Sequence, residues 1–155
     1  MPETNCIFCK IVDGQIPSRK IYEDENVIAI LDLSQVTPGH TLVIPKKHVR
    51  TIFDYDEETA AEVFKVLPKI ARALRDFDSE VKGLNILNNN EEVAFQSVFH
   101  SHIHLIPRYS DTDDFGVKWA HNEDKYSEAD LDKIQLEIQK QLELWDFLQA
   151  FYVVQ

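Results

Sequence analysis

The sequence predicts an α+β fold: an antiparallel β-sheet with a long central helix and a C-terminal helix. Two observations carry that prediction. Short β-rich runs follow one another without an intervening helix, which favours antiparallel pairing. Two longer stretches then switch to an apolar period of three and four, the mark of amphipathic helices. At 155 residues the chain is long enough to bury a substantial core. No internal repeat, low-complexity tract or long linker divides it, so residues 1–155 are expected to form a single domain.

Residues 19–23 (RKIYE) and 26–33 (NVIAILDL) flank Asp24-Glu25 and read as a hairpin. Residues 41–45 (TLVIP) form a third strand, entered through the turn signal Thr37-Pro38-Gly39. Over 56–77, Ala60, Val63, Phe64, Leu67, Ile70, Ala71 and Leu74 recur at helical spacing. Asp54 and Glu57 suit the N-terminus of that helix as a capping-box variant, and Pro68 inside it predicts a kink. After Gly83, residues 84–88 (LNILN) alternate as a strand, a loop at 89–92 follows, and 98–106 form a last strand. Ser127 starts a helix running to about residue 147. Leu131, Ile134, Ile138, Leu142 and Trp145 line one side of it; Leu136, Leu144 and Phe147 begin a second stripe. A helix apolar on two sides needs two partners, such as its own sheet and a second subunit or the tail FYVVQ.

A hydrophobic fraction of 44% and a charged fraction of 28% fit a soluble globular chain. No apolar run of about 18 residues is present, so no membrane span is expected. MPETNCIFCK lacks the basic and apolar blocks of a signal peptide, which points to the cytoplasm and to two unbridged cysteines. The net charge of −11 argues against long nucleic acid or an anionic membrane as partner. A small phosphorylated ligand is not excluded, because one local site can be electropositive.

Phe99 to Tyr109 reads FHSHIHLIPRY and holds three of the six histidines. On a strand, His100, His102 and His104 share one face, roughly 7 Å apart, while Ser101, Ile103 and Leu105 face the other. The row has three readings: a polar face that happens to carry histidine, a metal site, or a nucleophilic centre. Imidazole suits the last, being neutral near pH 7 and a good nucleophile when its second nitrogen is held by a hydrogen bond. Cys6 and Cys9 form a C-x₂-C pair, a weak signal for metal or redox chemistry, and no thioredoxin-like βαβ context surrounds it.

His100-Ser101-His102-Ile103-His104-Leu105-Ile106 matches the His-x-His-x-His signature of the histidine triad family of nucleotide hydrolases and transferases. The segment from Asn5 to Val49, LNILNNN and FHSHIHLIPRY also resemble that family, in particular its bacterial zinc-containing branch, over roughly residues 5–125. The resemblance implies the histidine-triad fold, usually as a homodimer. It implies His102 as the nucleophile at the α-phosphorus of a nucleotide conjugate and His104 as a phosphate-holding partner. Ser97 resembles the hydroxyl that assists the leaving group. Asp32 resembles the ribose-binding carboxylate, which can accept two hydrogen bonds from a diol. Asn89 and Gln96 complete the nucleotide-binding set. A structural zinc on Cys6, Cys9, His48 and His100 is implied by the zinc-containing branch. The substrate so implied is a purine nucleotide conjugate such as an adenosine phosphoramidate; dinucleoside polyphosphate hydrolysis and a weakly catalytic nucleotide-binding scaffold are the alternatives. His40 reads as a turn residue, and neither it nor His121 has an assigned role. One departure stands out: Phe95 occupies a position where glycine is common in the family, which predicts an altered substrate range.

Overall fold

A computed structural model describes residues 5–152, with side chains described through 148. The chain divides into two compact units, residues 1–116 and 117–155.

The first unit is built on β1 (Lys20–Glu23), β2 (Val27–Leu31), β3 (Thr41–Pro45), β4 (Gly83–Asn88) and β5 (Ile103–Arg108). These form one five-stranded antiparallel sheet in the order β1-β2-β3-β5-β4. The hairpin at Asp24-Glu25 is present, closed by Asp24, whose carboxylate accepts from the Asn26 and Val27 amides at 2.9 and 2.7 Å. The turn before β3 is present as well: the His40 amide donates to the Thr37 carbonyl at 3.1 Å. Gly39 there has φ +89°, and a Cβ on it would stand 2.9 Å from the Phe77 ring. Only glycine serves both demands.

Alternation along the central strands gives the sheet two buried faces, which is why VIAIL and TLVIP are apolar throughout. Val27, Ala29, Val43, Ile103 and Leu105 pack against α2 (Glu57–Asp76), which presents Val63, Val66, Leu67, Ile70 and Leu74. Ile28, Ile30, Leu42 and Ile44 pack on the other face against α1 (Ile7–Val12) and the cysteines, through Cys6, Phe8, Cys9 and Ile11. Each such burial is worth about 1.5–3 kcal/mol, so truncating Ile70 to alanine would cost about 2–5 kcal/mol.

The helix over 56–77 is found with two refinements. Its N-cap is Asp56, whose side chain accepts from the Thr59 amide at 2.7 Å. Asp54 instead caps a preceding single turn, accepting from the Thr51 amide at 2.9 Å. α2 also continues through Pro68, which lies on its exposed side.

The last strand is corrected. It begins at Ile103, not at residue 98. The intervening groups are diverted from a ladder: the Ser101 amide donates to the Val49 carbonyl at 2.7 Å, and Asn88 Nδ2 donates to the His102 carbonyl at 2.8 Å. Only His104 of the three histidines sits in a strand. It pairs with Leu42, which places it on the α1 face of the sheet.

In the second unit, α3 (Glu128–Tyr152) starts where Ser127 caps it, in reciprocal contact with Asp130. Leu131, Ile134, Leu136, Ile138, Leu142, Leu144, Trp145 and Phe147 are all exposed. The side chains of the tail at 151–155 lie outside the described residues. No helix among the described residues is long and apolar enough to cross a membrane.

Candidate active site and metal centre

His102 is 5% exposed, and its Nδ1 lies 2.7 Å from the His100 carbonyl oxygen. A carbonyl only accepts, so Nδ1 carries the proton and Nε2 is left with its lone pair. Burial lowers the pKa of His102, which keeps the ring neutral. The Phe8 ring meets it edge-on at 5.0 Å, and the His104 ring stands 5.0 Å away on another side. α1 is thus part of the site, a role its six residues do not signal by periodicity.

His104 has a partner that the sequence does not suggest. Its Nδ1 lies 2.9 Å from Nε2 of His40, which is 3% exposed. The second nitrogen of His40, Nδ1, is buried with no hydrogen-bond partner among the described residues. That orphan decides the tautomers. If His104 donated to His40, His40 would bury an N–H without an acceptor, which is rare and costly. If His40 donates from Nε2, its Nδ1 is only an unused acceptor. Asp32 Oδ2, 3.8 Å from His40 Nε2, favours the same proton position. His104 then carries its proton on Nε2 and offers it outward as a donor. Burial, with His102 and His40 alongside, depresses the His104 pKa to about 4, so the donor is a neutral imidazole.

Asp32 uses Oδ1 to accept from the Ser34 amide at 2.7 Å, leaving Oδ2 on the site side. Asn89 is half-buried, and its Nδ2 reaches the Phe95 carbonyl only at 3.5 Å. Gln96 is 3% exposed and its amide is fully occupied: Oε1 accepts from Glu91 N at 2.8 Å, while Nε2 donates to the Arg50 and Val98 carbonyls at 2.7 and 3.1 Å. Ser97 is exposed, and its hydroxyl makes no hydrogen bond with the described residues. Sequence reasoning also missed Asn88, which fixes the His102 carbonyl, and Asn90, whose Oδ1 accepts from the Ile52 amide at 2.7 Å. An asparagine run otherwise reads as turn composition.

The loop from 89 to 97 contains two non-glycine residues with positive φ, Glu91 (71°) and Phe95 (66°). Glu91 forms an ion pair with Arg50 at 2.9 Å, and Arg50 stacks 4.0 Å above the Phe99 ring. Phe95 is 85% exposed.

The zinc set assembles. One ligand atom from each of Cys6, Cys9, His48 and His100 lies within 4.8 Å of all the others. His100 Nδ1 is 3.3 Å from Cys6 Sγ and 3.6 Å from Cys9 Sγ, and His48 Nδ1 is 3.3 Å from Cys9 Sγ. Zn–S and Zn–N bonds of about 2.3 and 2.1 Å at tetrahedral angles put S and N about 3.6 Å apart. The donors fit that ion. His100 Nε2 also donates to the Pro45 carbonyl at 2.8 Å, which leaves Nδ1 unprotonated towards the sulfurs. Burial lowers the His100 pKa to about 4, again favouring the ligating form. His121 is exposed beside Glu123 in the second unit, with no further contact among the described residues to give it a role.

Comparison with known proteins adds four findings. The HIT domain family model matches residues 13–111. A crystal structure of a HIT family member from Bacillus subtilis is 56% identical, with a TM-score of 0.84 over 88% of this chain and 96% of that one. A Zn-bound histidine triad family protein from Mycobacterium smegmatis is 42% identical, with a TM-score of 0.67 over 77% and 86% of the two chains. Among curated relatives, an adenosine 5'-monophosphoramidase of Schizosaccharomyces pombe is 36% identical over 74% of this chain and 83% of its own.

Proposed function

The chain belongs to the HIT domain family, and on that premise we propose that it hydrolyses nucleoside monophosphate conjugates at the α-phosphorus, with an adenosine phosphoramidate as the type of substrate. The observation that supports this most is His102, buried and neutral, with Nδ1 held by a carbonyl and Nε2 free. In the first step Nε2 forms a bond to phosphorus as the bond to the leaving group breaks. The departing amine takes a proton from solvent, relayed through the exposed Ser97 hydroxyl. Water then bonds to phosphorus as the bond from phosphorus to Nε2 breaks, its proton returns to solvent, and the nucleoside monophosphate leaves with His102 restored. Two moderate steps replace one difficult displacement.

The remaining residues bind and orient. His104 donates from Nε2 to a phosphate oxygen, and His40 fixes that tautomer. The free oxygen of Asp32 accepts from the ribose hydroxyls, and Asn89 positions the ribose or phosphate. Gln96 holds the loop that carries Ser97. Zinc on Cys6, Cys9, His48 and His100 would have four protein ligands and no open position, so its contribution is structural. The named activity of the fission yeast relative supports the phosphoramidate reading.

The test is to incubate the protein with adenosine phosphoramidate, quench in base and look for a nucleotidyl adduct by mass spectrometry. We expect the adduct on His102. Nucleotide binding with no adduct and no turnover would sink the enzymatic reading and leave a nucleotide-binding scaffold.

A further inference from the structure

His100 belongs to two constellations at once. Its ring turns Nδ1 to Cys6 and Cys9, at 3.3 and 3.6 Å, while its backbone carbonyl accepts from Nδ1 of His102 at 2.7 Å. The residue is fully buried. A change in what holds its ring therefore reaches the peptide group that fixes the His102 tautomer. Phe8 makes a second link. It stands between Cys6 and Cys9 in the chain, and its ring meets those of His100 and His102 at 5.9 and 5.0 Å.

The cysteines themselves are placed for a further reaction. Cys6 is the N-cap of α1, and the Cys9 amide reaches its sulfur at 3.4 Å. The two sulfurs lie within 4.8 Å of each other. Metal ligation holds both as thiolates, the form of cysteine that attacks an oxidant. Access differs between them. Cys6 lies on the wall of a cleft of about 320 Å³, with Asn5, Ile7, Ser97, Val98 and Phe99. A water takes about 30 Å³, so hydrogen peroxide enters easily. Cys9 is 4% exposed and does not line the cleft.

We propose that Cys6 and Cys9 form an oxidation site for hydrogen peroxide, which couples the state of the zinc set to the His102 nucleophile. The Cys6 thiolate attacks one peroxide oxygen and the O–O bond breaks. Cys6 becomes a sulfenic acid, and the departing hydroxide takes a proton from solvent. The Cys9 thiolate then attacks the Cys6 sulfur, the S–O bond breaks, and a second hydroxide leaves and is protonated. The two sulfurs have lost two electrons, peroxide has gained them, and two waters result. A disulfide offers no thiolate, so His48 and His100 alone remain of the four ligands, too few to retain the ion. The His100 ring and α1 lose their common anchor, and with it His102 loses its fixed position. A dithiol reductant and zinc reverse the change. The oxidation stands without the hydrolase reading; its effect on turnover rests on that reading.

The experiment titrates reduced, zinc-loaded protein with hydrogen peroxide. Zinc release is read with a chromogenic chelator, the Cys6–Cys9 bond by peptide mass spectrometry, and kcat with adenosine phosphoramidate. We expect one zinc released per disulfide formed. The kcat should fall about a hundredfold, the loss that a misplacement of about 1 Å produces, and dithiothreitol with zinc should restore it. Cys9→Ser, which lacks the second thiolate, should accumulate a sulfenic acid on Cys6 that dimedone traps. Zinc kept throughout the titration, or kcat lost while both cysteines stay reduced, would overturn the oxidation site; both readings come from wild-type protein and hold even where Cys9→Ser does not fold. A disulfide and free zinc with unchanged kcat would overturn the coupling. If wild-type protein turns over no phosphoramidate, the hydrolase reading fails instead. Nitrogen NMR of the His102 ring, which reports the protonated nitrogen without turnover, then decides the coupling: the same spectrum before and after oxidation rejects it.

Discussion

His40 and Phe95 show how single residues carry information that their types alone do not. A histidine after Pro38-Gly39 reads as turn material, yet its ring is buried against His104 with one nitrogen unpartnered. Its importance was invisible in sequence because the contact joins residues 64 positions apart. His40→Ala should free His104 to take the wrong tautomer, lowering kcat about ten- to hundredfold, the equivalent of about 1.4–2.7 kcal/mol in barrier. His40→Asn, which can donate from a shorter side chain, should recover part of that loss. An alanine variant with unchanged kcat would show that His104 sets its own tautomer. Phe95 stands where glycine is common in the family, and its φ of 66° shows that the glycine-type backbone persists. A left-handed conformation costs a non-glycine residue about 1–2 kcal/mol, while glycine costs about 0.5–1 kcal/mol in chain entropy. Because the exposed ring makes little contact to lose, Phe95→Gly should leave stability unchanged or raise it by up to about 1 kcal/mol, and Phe95→Ala should not. Urea melts of the two variants check this. Kinetics on a panel of leaving groups checks whether glycine also widens substrate tolerance, as the departure from family pattern suggests; identical profiles would count against it.

At the scale of elements, the strands and α2 were legible because their signals are local: period two or uniform apolarity between turns, and period three and four over twenty residues. α1 was not, because six residues hold less than two turns. The strand expected at 98–106 starts five residues too early and stops two short. His100, His102 and His104 alternate with Ser101 and Ile103 as a strand would, but the Val49 carbonyl takes the Ser101 amide and the Asn88 side chain takes the His102 carbonyl, backbone groups that a ladder would use. This non-strand stretch gives the three histidines different surroundings. His100 turns towards Cys6, Cys9 and His48, whereas His104 sits with His40 and Asp32, its ring 5.0 Å from that of His102, where the reaction is proposed to occur. Two predictions belong here. Chelating zinc should release the tie between α1 and the triad and lower Tm by about 10 °C, the equivalent of about 3 kcal/mol in a chain of this size. His102→Ala should keep its zinc, measured by metal analysis, while losing turnover. A variant that loses the metal would show that the division between His100 and His102 is wrong.

At the scale of the whole molecule, all residues proposed to act lie in the first compact unit, within 5–104, and the second contributes a helix. That helix poses a physical problem of its own. Eight apolar side chains between Leu131 and Phe147 are exposed on two stripes. An isolated helix depends on packing an apolar face for most of its stability, and a contiguous exposed apolar patch marks an interaction surface. β4 adds a second open feature, as the sheet's edge strand next to β5 with Ile86 56% exposed. The reading that accounts for both is a homodimer, in which a second copy covers apolar surface that one copy leaves open. Sedimentation velocity should then show a dimer at micromolar concentration. Leu131→Glu with Ile138→Glu, which places two charges on the first stripe, should shift it towards monomer. The zinc set and the His40–His104 pair are internal to one chain, so the monomeric variant should keep its metal and its nucleotidyl-histidine chemistry. A wild-type protein that sediments as a monomer would remove the dimer and require the stripes of α3 to be covered from within the same chain.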